Sequence, residues 1–541
     1  MPSCHTDCIE KPVSNWFHKL GGFVGRNPWW FLLVPLFISA GLGAGFYFLE
    51  EREAHGIEDQ FTPKDGPAKK ERHFVKEHFP QNDSEFSRLR LYTEGSYGSF
   101  IAVSKSSDIL SEKAFEEIIY LDGRVREMGI GHERLTYENL CAMKKLGGVV
   151  LNSSIIVSAK AVRLFYFLRE NNKAENDIWL HGFTQIQVSY FTSNSREEEL
   201  KGNSKSVIPL FSVAYFLAIS FSMISCLRLD CVRNKVWVAS FGALSAGLAV
   251  LSSFGLLLLC GMPFAMTVAT APFLILGIGV DDMFIMISCW QQTQVHDNVE
   301  DRMAATYKDA AISITITTLT DALAFYIGLL TPFGSVQSFC MYTGTAVLFC
   351  YLYNITFFGA FLALNGRREK GNRHWLTCMK VPEPEDSPEK YNICCVGGAY
   401  DQETGKEEVM PINNFFKMYY GPFLTNTWTK VFVILLYAGY LGSSIYGCFQ
   451  IQEGIDLKNL AANSSYVGSY YDNEDQYFSQ YGPNVMVVVT DSEFQYWNES
   501  FRNSLDSCLQ NFGGLSMVSQ NMIISWLDEY LKFGKMANLS L

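Results

Sequence analysis

The chain has 541 residues, 48% hydrophobic and only 18% charged, with a formal net charge of −12. The acidic balance argues against nucleic acid as a partner, and the length leaves room for several domains. A mean hydropathy of +0.06 means that long polar segments dilute strongly apolar ones. The fourteen cysteines are scattered, so neither a disulfide framework nor a zinc spacing emerges. The Cys4/Cys8 and Cys394/Cys395 pairs read as free or lipidated thiols. The sequence contains no G-x-S-x-G, no phosphate-cradling glycine loop and no metal cluster, and His55, His132 and His181 are isolated. No catalytic residue, metal or cofactor is therefore assigned.

Taken in order, residues 1–28 form a cytosolic N-terminus without a cleavable leader pattern. Residues 29–49 run uncharged between Lys11, Lys19 and Arg26 on one side and Glu50, Glu51 and Glu53 on the other. A span needs about 20 apolar residues, and the positive-inside rule puts the N-terminus in the cytosol. Residues 50–206 read as a luminal or extracellular α+β domain. It has strands at 88–93, 99–105 and 147–151, and helices at 109–128 and 158–171. Five apolar runs follow within 207–364: 207–226, 236–260, 271–290, 310–330 and 335–364. Residues 365–429, with the Pro- and acid-rich VPEPEDSPEK, read as a solvated cytosolic linker. Residues 430–449 are the seventh span. Residues 450–541 begin a second luminal domain, with a strand at 485–491 and a helix at 492–512. The fold class is thus a polytopic α-helical membrane protein of about seven spans with α+β luminal or extracellular domains.

Sequons at Asn82, Asn152, Asn463, Asn498 and Asn538 all fall in segments expected to be luminal, as glycosylation requires. The sequon at Asn354 lies inside a span, where it cannot be modified.

The fourth run, APFLILGIGVDDMFIMISCW, carries Asp281 and Asp282 near mid-membrane, about 6 Å from its centre. The next run carries Asp321 at similar depth. A charge at mid-bilayer costs at least ~2.5–3.5 kcal/mol. Between Val236 and Leu364 the only Lys or Arg residues are Arg302 and Lys308, both placed in the polar connection with His296. The three carboxylates must then be protonated, share protons or bind a mobile cation, H+ or Na+. Adjacent residues on a helix point about 100° apart, so Asp281 and Asp282 face different neighbours. Gly277 and Gly279 allow a neighbouring helix to approach closely. Thr315, Thr317, Thr318 and Thr320 add hydroxyls at similar depth, where such groups commonly bond their own backbone.

These residues resemble a known family. One span, a luminal domain, five clustered spans, a further span and a second luminal segment is the layout of the resistance–nodulation–division superfamily, and the chain resembles its first half. Residues 207–364 resemble a sterol-sensing domain. GIGVDD (277–282) is similar to the fourth-span motif of the Patched family, and more loosely to those of Dispatched and Niemann–Pick type C proteins. SITITTLTDALAFYIG (313–328) resembles the fifth-span motif, in which the position of Asp321 is often Asn. SCLRLDCVRNK (225–235), FCYLYNITFFGAFLAL (349–364) and SSIYGCFQIQEGIDLKNLA (443–461) carry the likeness to Patched domain-containing members. The resemblance implies binding or cation-driven movement of a sterol or other membrane lipid, with Asp281 and Asp282 as the relay. A non-transporting receptor or regulator, with a protein ligand on its luminal domains, is the rival expectation, and an inert truncated form is a third. The implied location is the plasma membrane, including a ciliary or flagellar membrane, or the endoplasmic reticulum. Full family members carry a second bundle and pair a cysteine like Cys141, so a truncated chain is expected, with self-assembly as one way to replace the missing bundle.

Overall fold

The computed structural model describes residues 10–54, 60–78, 97–106, 108–127, 146–152, 155–167, 185–192, 195–228, 230–382, 397–408, 411–451, 465–479, 487–490, 493–516, 518 and 525–536. In chain order the main elements are α1 (Glu10–Arg26), α2 (Pro28–Gly43), α3 (Pro67–His78), β1 (Tyr97–Ser104), α4 (Glu112–Glu127), β2 (Leu146–Gly147), β3 (Val150–Asn152), β4 (Ile155–Ser158), β5 (Ala161–Phe167) and β6 (Ile186–Thr192). Then come α5 (Ser195–Ser225), α6 (Val236–Leu259), α7 (Ala271–Gln291), α8 (Val299–Gly328), α9 (Gly334–Tyr353), a π-helical turn (Asn354–Phe358) and α10 (Gly359–Lys370). Finally there are α11 (Thr427–Phe449), α12 (Tyr466–Phe478), α13 (Glu499–Gly513) and α14 (Trp526–Met536).

Among the described residues six helical stretches are long and apolar enough to cross a membrane: Pro28–Arg52, Val236–Leu259, Met266–Gln291, Val299–Gly328, Gly334–Lys370 and Thr427–Phe449. The run expected at 207–226 lies within α5, whose apolar part is Ser212–Ser225. The chain divides into two units, residues 1–69 with 197–459, and residues 70–196 with 460–541.

In the first unit α6 is the hub. Hydrocarbon gives apolar helices no reason to leave lipid, so close backbone approach must hold them together. Accordingly α6 buries small side chains: Ala239, Ala243, Ala246, Ala249, Ser252 and Ser253. A Cβ on Gly255 would collide with the Leu42 carbonyl of α2, and one on Gly242 with Met283 of α7. A buried ring of hydroxyls links the same helices: Ser252 donates to Ser39 at 2.9 Å, Ser39 donates to Tyr353 at 3.0 Å, and Ser252 and Tyr353 lie 2.7 Å apart.

The N-terminus is more than a polar lead-in. Val13, Phe17, Leu20 and Val24 recur at helical spacing, and α1 lays this stripe on the start of α8. There a Cβ on Gly21 would sit 2.6 Å from the Met303 carbonyl. Arg26 and Glu300 close the contact at 3.2 Å. Correspondingly, Arg302 and Lys308 lie within α8 itself, not in a loop, and Arg302 is buried.

The second unit holds an antiparallel sheet ordered β2-β5-β1-β6. Alternation along β1 sends Phe100 and Ala102 to the face covered by α4, and Ile101 and Val103 to the face covered by α12. Residues 158–171, expected to be a helix, contain β5 instead. Ala-Val-Arg-Leu-Phe-Tyr-Phe is β-branched and aromatic, and its alternate residues Val162, Leu164 and Tyr166 enter the α4-side core. β6 is an added strand. Helix α12, from the segment expected to start a separate domain, completes this sheet. Tyr470 and Ser99 are 2.8 Å apart, Asn473 donates to Ser189 at 2.7 Å, and Arg163 pairs with Glu474. Burial pushes the Tyr470 phenol above its usual range, against the pull of Arg163. Described residues 487–490 form no strand, and the helix expected at 492–512 begins only at Glu499, where Asn498 accepts from the Ser500 N–H at 3.0 Å. The strand expected at 88–93 lies outside the described residues, as do Asn82, Asn463, Asn538 and Cys141.

Gly255→Ala is expected to force α2 and α6 apart at a cost of about 1–3 kcal/mol. Gly442→Ala on α11, where nothing lies within 4 Å, should not. Thermal unfolding of both variants in nanodiscs checks this.

Candidate functional site

Helix α7 carries both adjacent aspartates, and its rotation separates them. Asp282 is 4% exposed inside the bundle, whereas Asp281 is on the exposed face. Asp321 of α8 is half-buried, and both it and Asp281 lie close enough for their charges to act on Asp282. Gly279, three residues before Asp282, is the packing glycine: a Cβ there would be 2.7 Å from Ala246 Cβ and 2.9 Å from Cys350 Sγ. Gly277 does not share this role, because nothing lies within 4 Å of the Cβ it lacks. It sits on the same open side as Asp281.

Asn354 is the neighbour that its sequon context conceals. It is 3% exposed, and its side chain lies within reach of the Asp282 carboxylate. It opens the π-helical turn, a local underwinding of the kind that recurs at functional sites. Tyr351 lies close by, held by Thr315 at 2.8 Å. Thr317 and Thr320 bond the carbonyls of their own helix, Thr320 reaching Thr317 at 2.7 Å. An asparagine amid an apolar run is the signal that could have marked this position. The result is a buried carboxylate and carboxamide, flanked by two further carboxylates, with no basic side chain beside them among the described residues.

At the basic end of the same helices the opposite arrangement holds. Lys235, at the N-terminus of α6, is fully buried, 2.6 Å from Glu369 of α10 and 3.1 Å from Glu407. Glu407 also pairs with Arg302 and Arg228, each at 3.3 Å. Arg302 lies 4.0 Å over the Trp290 ring, and Trp290 donates to Glu369 at 3.4 Å. The stretch expected to be a solvated linker is therefore not wholly so. Residues 397–408 form a hairpin, bridged at Tyr400 and Glu407, that inserts Glu407 into this cluster. Nothing in a glutamate among DQETGKEE marks it as buried. Among the described residues no group of three His, Cys, Asp or Glu side chains is placed to hold a metal ion.

The Patched sterol-sensing-domain model matches residues 206–364. The match covers α6 to α9 and the π-helical turn, and with them Asp281, Asp282, Asp321 and Asn354. Over these residues the chain is similar to the Patched sterol-sensing domain. It is similar to Patched-related protein 9 of Caenorhabditis elegans, with 28% identity over 388 residues, covering 70% of this chain and 44% of that protein. It is also similar to NPC intracellular cholesterol transporter 1 of Sus scrofa, with 28% identity over 363 residues, covering 64% and 26%. The chain thus spans less than half the length of either relative. It is an integral multipass membrane protein.

Removing one member of a buried ion cluster strands its partners, at a typical cost of ~3–5 kcal/mol. Glu369→Ala is therefore expected to lower the unfolding temperature sharply. The same readout should show little change for Arg26→Ala, whose partner Glu300 is solvent-exposed.

Proposed function

We propose that this chain binds or moves a sterol or related membrane lipid and uses Asp282, with Asp281 and Asp321, to take up a proton or Na+. The observation that carries this reading is Asp282 itself, 4% exposed within a stretch, Val236–Leu364, whose only Lys or Arg residues are Arg302 and Lys308. Packing does not account for such a group, since an apolar residue would fill the space without a desolvation cost. The name of the pig relative contributes the lipid class: that protein is a cholesterol transporter. Asn354 would steady the Asp282 carboxylate, and Asp281 would act on the exposed face.

A second reading, a sterol sensor that does not transport, draws on α11, none of whose residues is buried within the described chain. In that reading the α+β unit would take a protein ligand and the chain could self-associate. Glycosylation at Asn152 and Asn498 would accompany either reading, as would residence in the plasma membrane or endoplasmic reticulum.

Photoreactive-sterol labelling in membranes, with and without excess cholesterol, tests the lipid assignment; saturable, competed labelling is expected. Unlabelled but well-folded protein would refute it. Asp282→Asn should keep sterol labelling, abolish dependence on a proton or Na+ gradient, and leave thermal stability equal or higher. Gradient dependence that survives this substitution would rule out the relay.

A further inference from the structure

Three basic groups from separate places converge on Glu407: Arg228 from the turn after α5, Lys235 at the start of α6, and Arg302 in α8. Glu369 supplies the other buried carboxylate; it accepts from Asn365 at 2.7 Å and lies 3.7 Å from Arg368. Of these charged residues, Glu407 alone sits on a segment that belongs to no membrane helix or adjoining turn. Its hairpin is held to the bundle by its backbone. Asp230 accepts from the N–H groups of Gly398 and Ala399 at 3.0 Å, and Arg233 donates to the Ala399 carbonyl at 2.7 Å and the Gly398 carbonyl at 2.9 Å. On the far side the Val295 N–H donates to the Gly405 carbonyl at 2.9 Å. The hairpin therefore touches the α5–α6 turn, the α7–α8 turn and, through Glu407, the side chains at the start of α6 and in α8.

Asp282, Met286 and Trp290 are all buried and spaced at i, i+4 and i+8 on one face of α7. The face runs about 12 Å from the carboxylate to the Arg302–Trp290 stack. The cluster therefore caps the same buried face of α7 that carries Asp282.

We infer that the 397–408 hairpin is a detachable latch on the end of the bundle that the positive-inside rule assigns to the cytosol, with Glu407 as its removable counter-ion. Seated, Glu407 pairs with Arg228, Lys235 and Arg302, offsets with Glu369 two of their three positive charges, and holds the helix ends together. Withdrawn, it leaves Glu369 as the one buried carboxylate against those cations, and their mutual repulsion draws water in beneath Asp282. No bond is made or broken. This inference rests on reading Asp282 as the cation site, because the latch governs access to that site.

Cys350 is a native reporter at the depth of Asp282: it is 2% exposed and packs beside Gly279. The test is peptide-resolved labelling of Cys350 by a small cationic methanethiosulfonate applied to the cytosolic face of inside-out vesicles bearing the full chain. Wild type should be protected. Glu407→Gln and Asp230→Asn, the latter releasing the hairpin backbone while leaving the buried carboxylates in place, should each label at least tenfold faster. Cys340, buried nearer the other end of α9, should stay protected. Equal protection in wild type and both variants overturns the latch, as does labelling of Cys340 in step with Cys350, which would mean general loosening. If Glu407→Gln fails to fold, Asp230→Asn decides. The readout does not require a cation on Asp282. Loss of the relay, seen as gradient dependence surviving Asp282→Asn, is thus distinguishable from loss of the latch.

Discussion

A charge taken out of water must be answered by another group, and this bundle meets that constraint in two opposite ways. At its basic end Lys235, Arg302, Arg228, Glu369 and Glu407 form a closed cluster, each charge within 3.3 Å of an opposite one. Idealised desolvation costs on the order of 20 kcal/mol per ion, so such a cluster holds only when every member is present. Two turns further along α7, Asp282 has carboxylates and an amide for neighbours and no cation among the described residues. The first arrangement fixes the helices in place; the second leaves Asp282 with no opposite charge beside it among the described residues.

Close packing makes the second arrangement possible. Gly242, Gly255 and Gly279, with the alanines and serines of α6, bring α2, α6, α7 and α9 to near-backbone contact. That contact excludes lipid and water from the Asp282 side and leaves the Asp281 side open. One helix rotation thus converts two chemically identical neighbours into an interior and an exterior group.

The spans and the aspartates were legible because both signals are local: twenty apolar residues announce a membrane helix, and an aspartate inside one stands out. What depended on distant partners was not. β5 needs β1 and β6 beside it before its alternation has meaning, and its leading Ser-Ala-Lys-Ala reads as helix in isolation. Arg302 sits in a polar stretch whose helix becomes apparent only with α1 packed along it. Glu407 looks like any solvated acid until Arg228, Lys235 and Arg302 are placed around it. Asn354 was visible inside a span, but its place beside Asp282 depends on how α7 and α9 pack.

A comparison within the chain separates local from tertiary control further. Asn15, Phe17, Gly22, Asn27 and Trp29 recur in the same order and spacing as Asn414, Phe416, Gly421, Asn426 and Trp428. Both stretches are helical and lead, through an asparagine at the helix start, into a span. Yet Phe17 is 3% exposed, against α8, and Phe416 is 51% exposed. The shared residues therefore set a helix followed by a span, and the presence of a partner sets burial. Since α11 buries none of its residues within the described chain, the packing around Asp282 owes nothing to it. The carboxylate, its amide neighbour and the glycine contacts are assembled entirely by helices lying between α2 and α10.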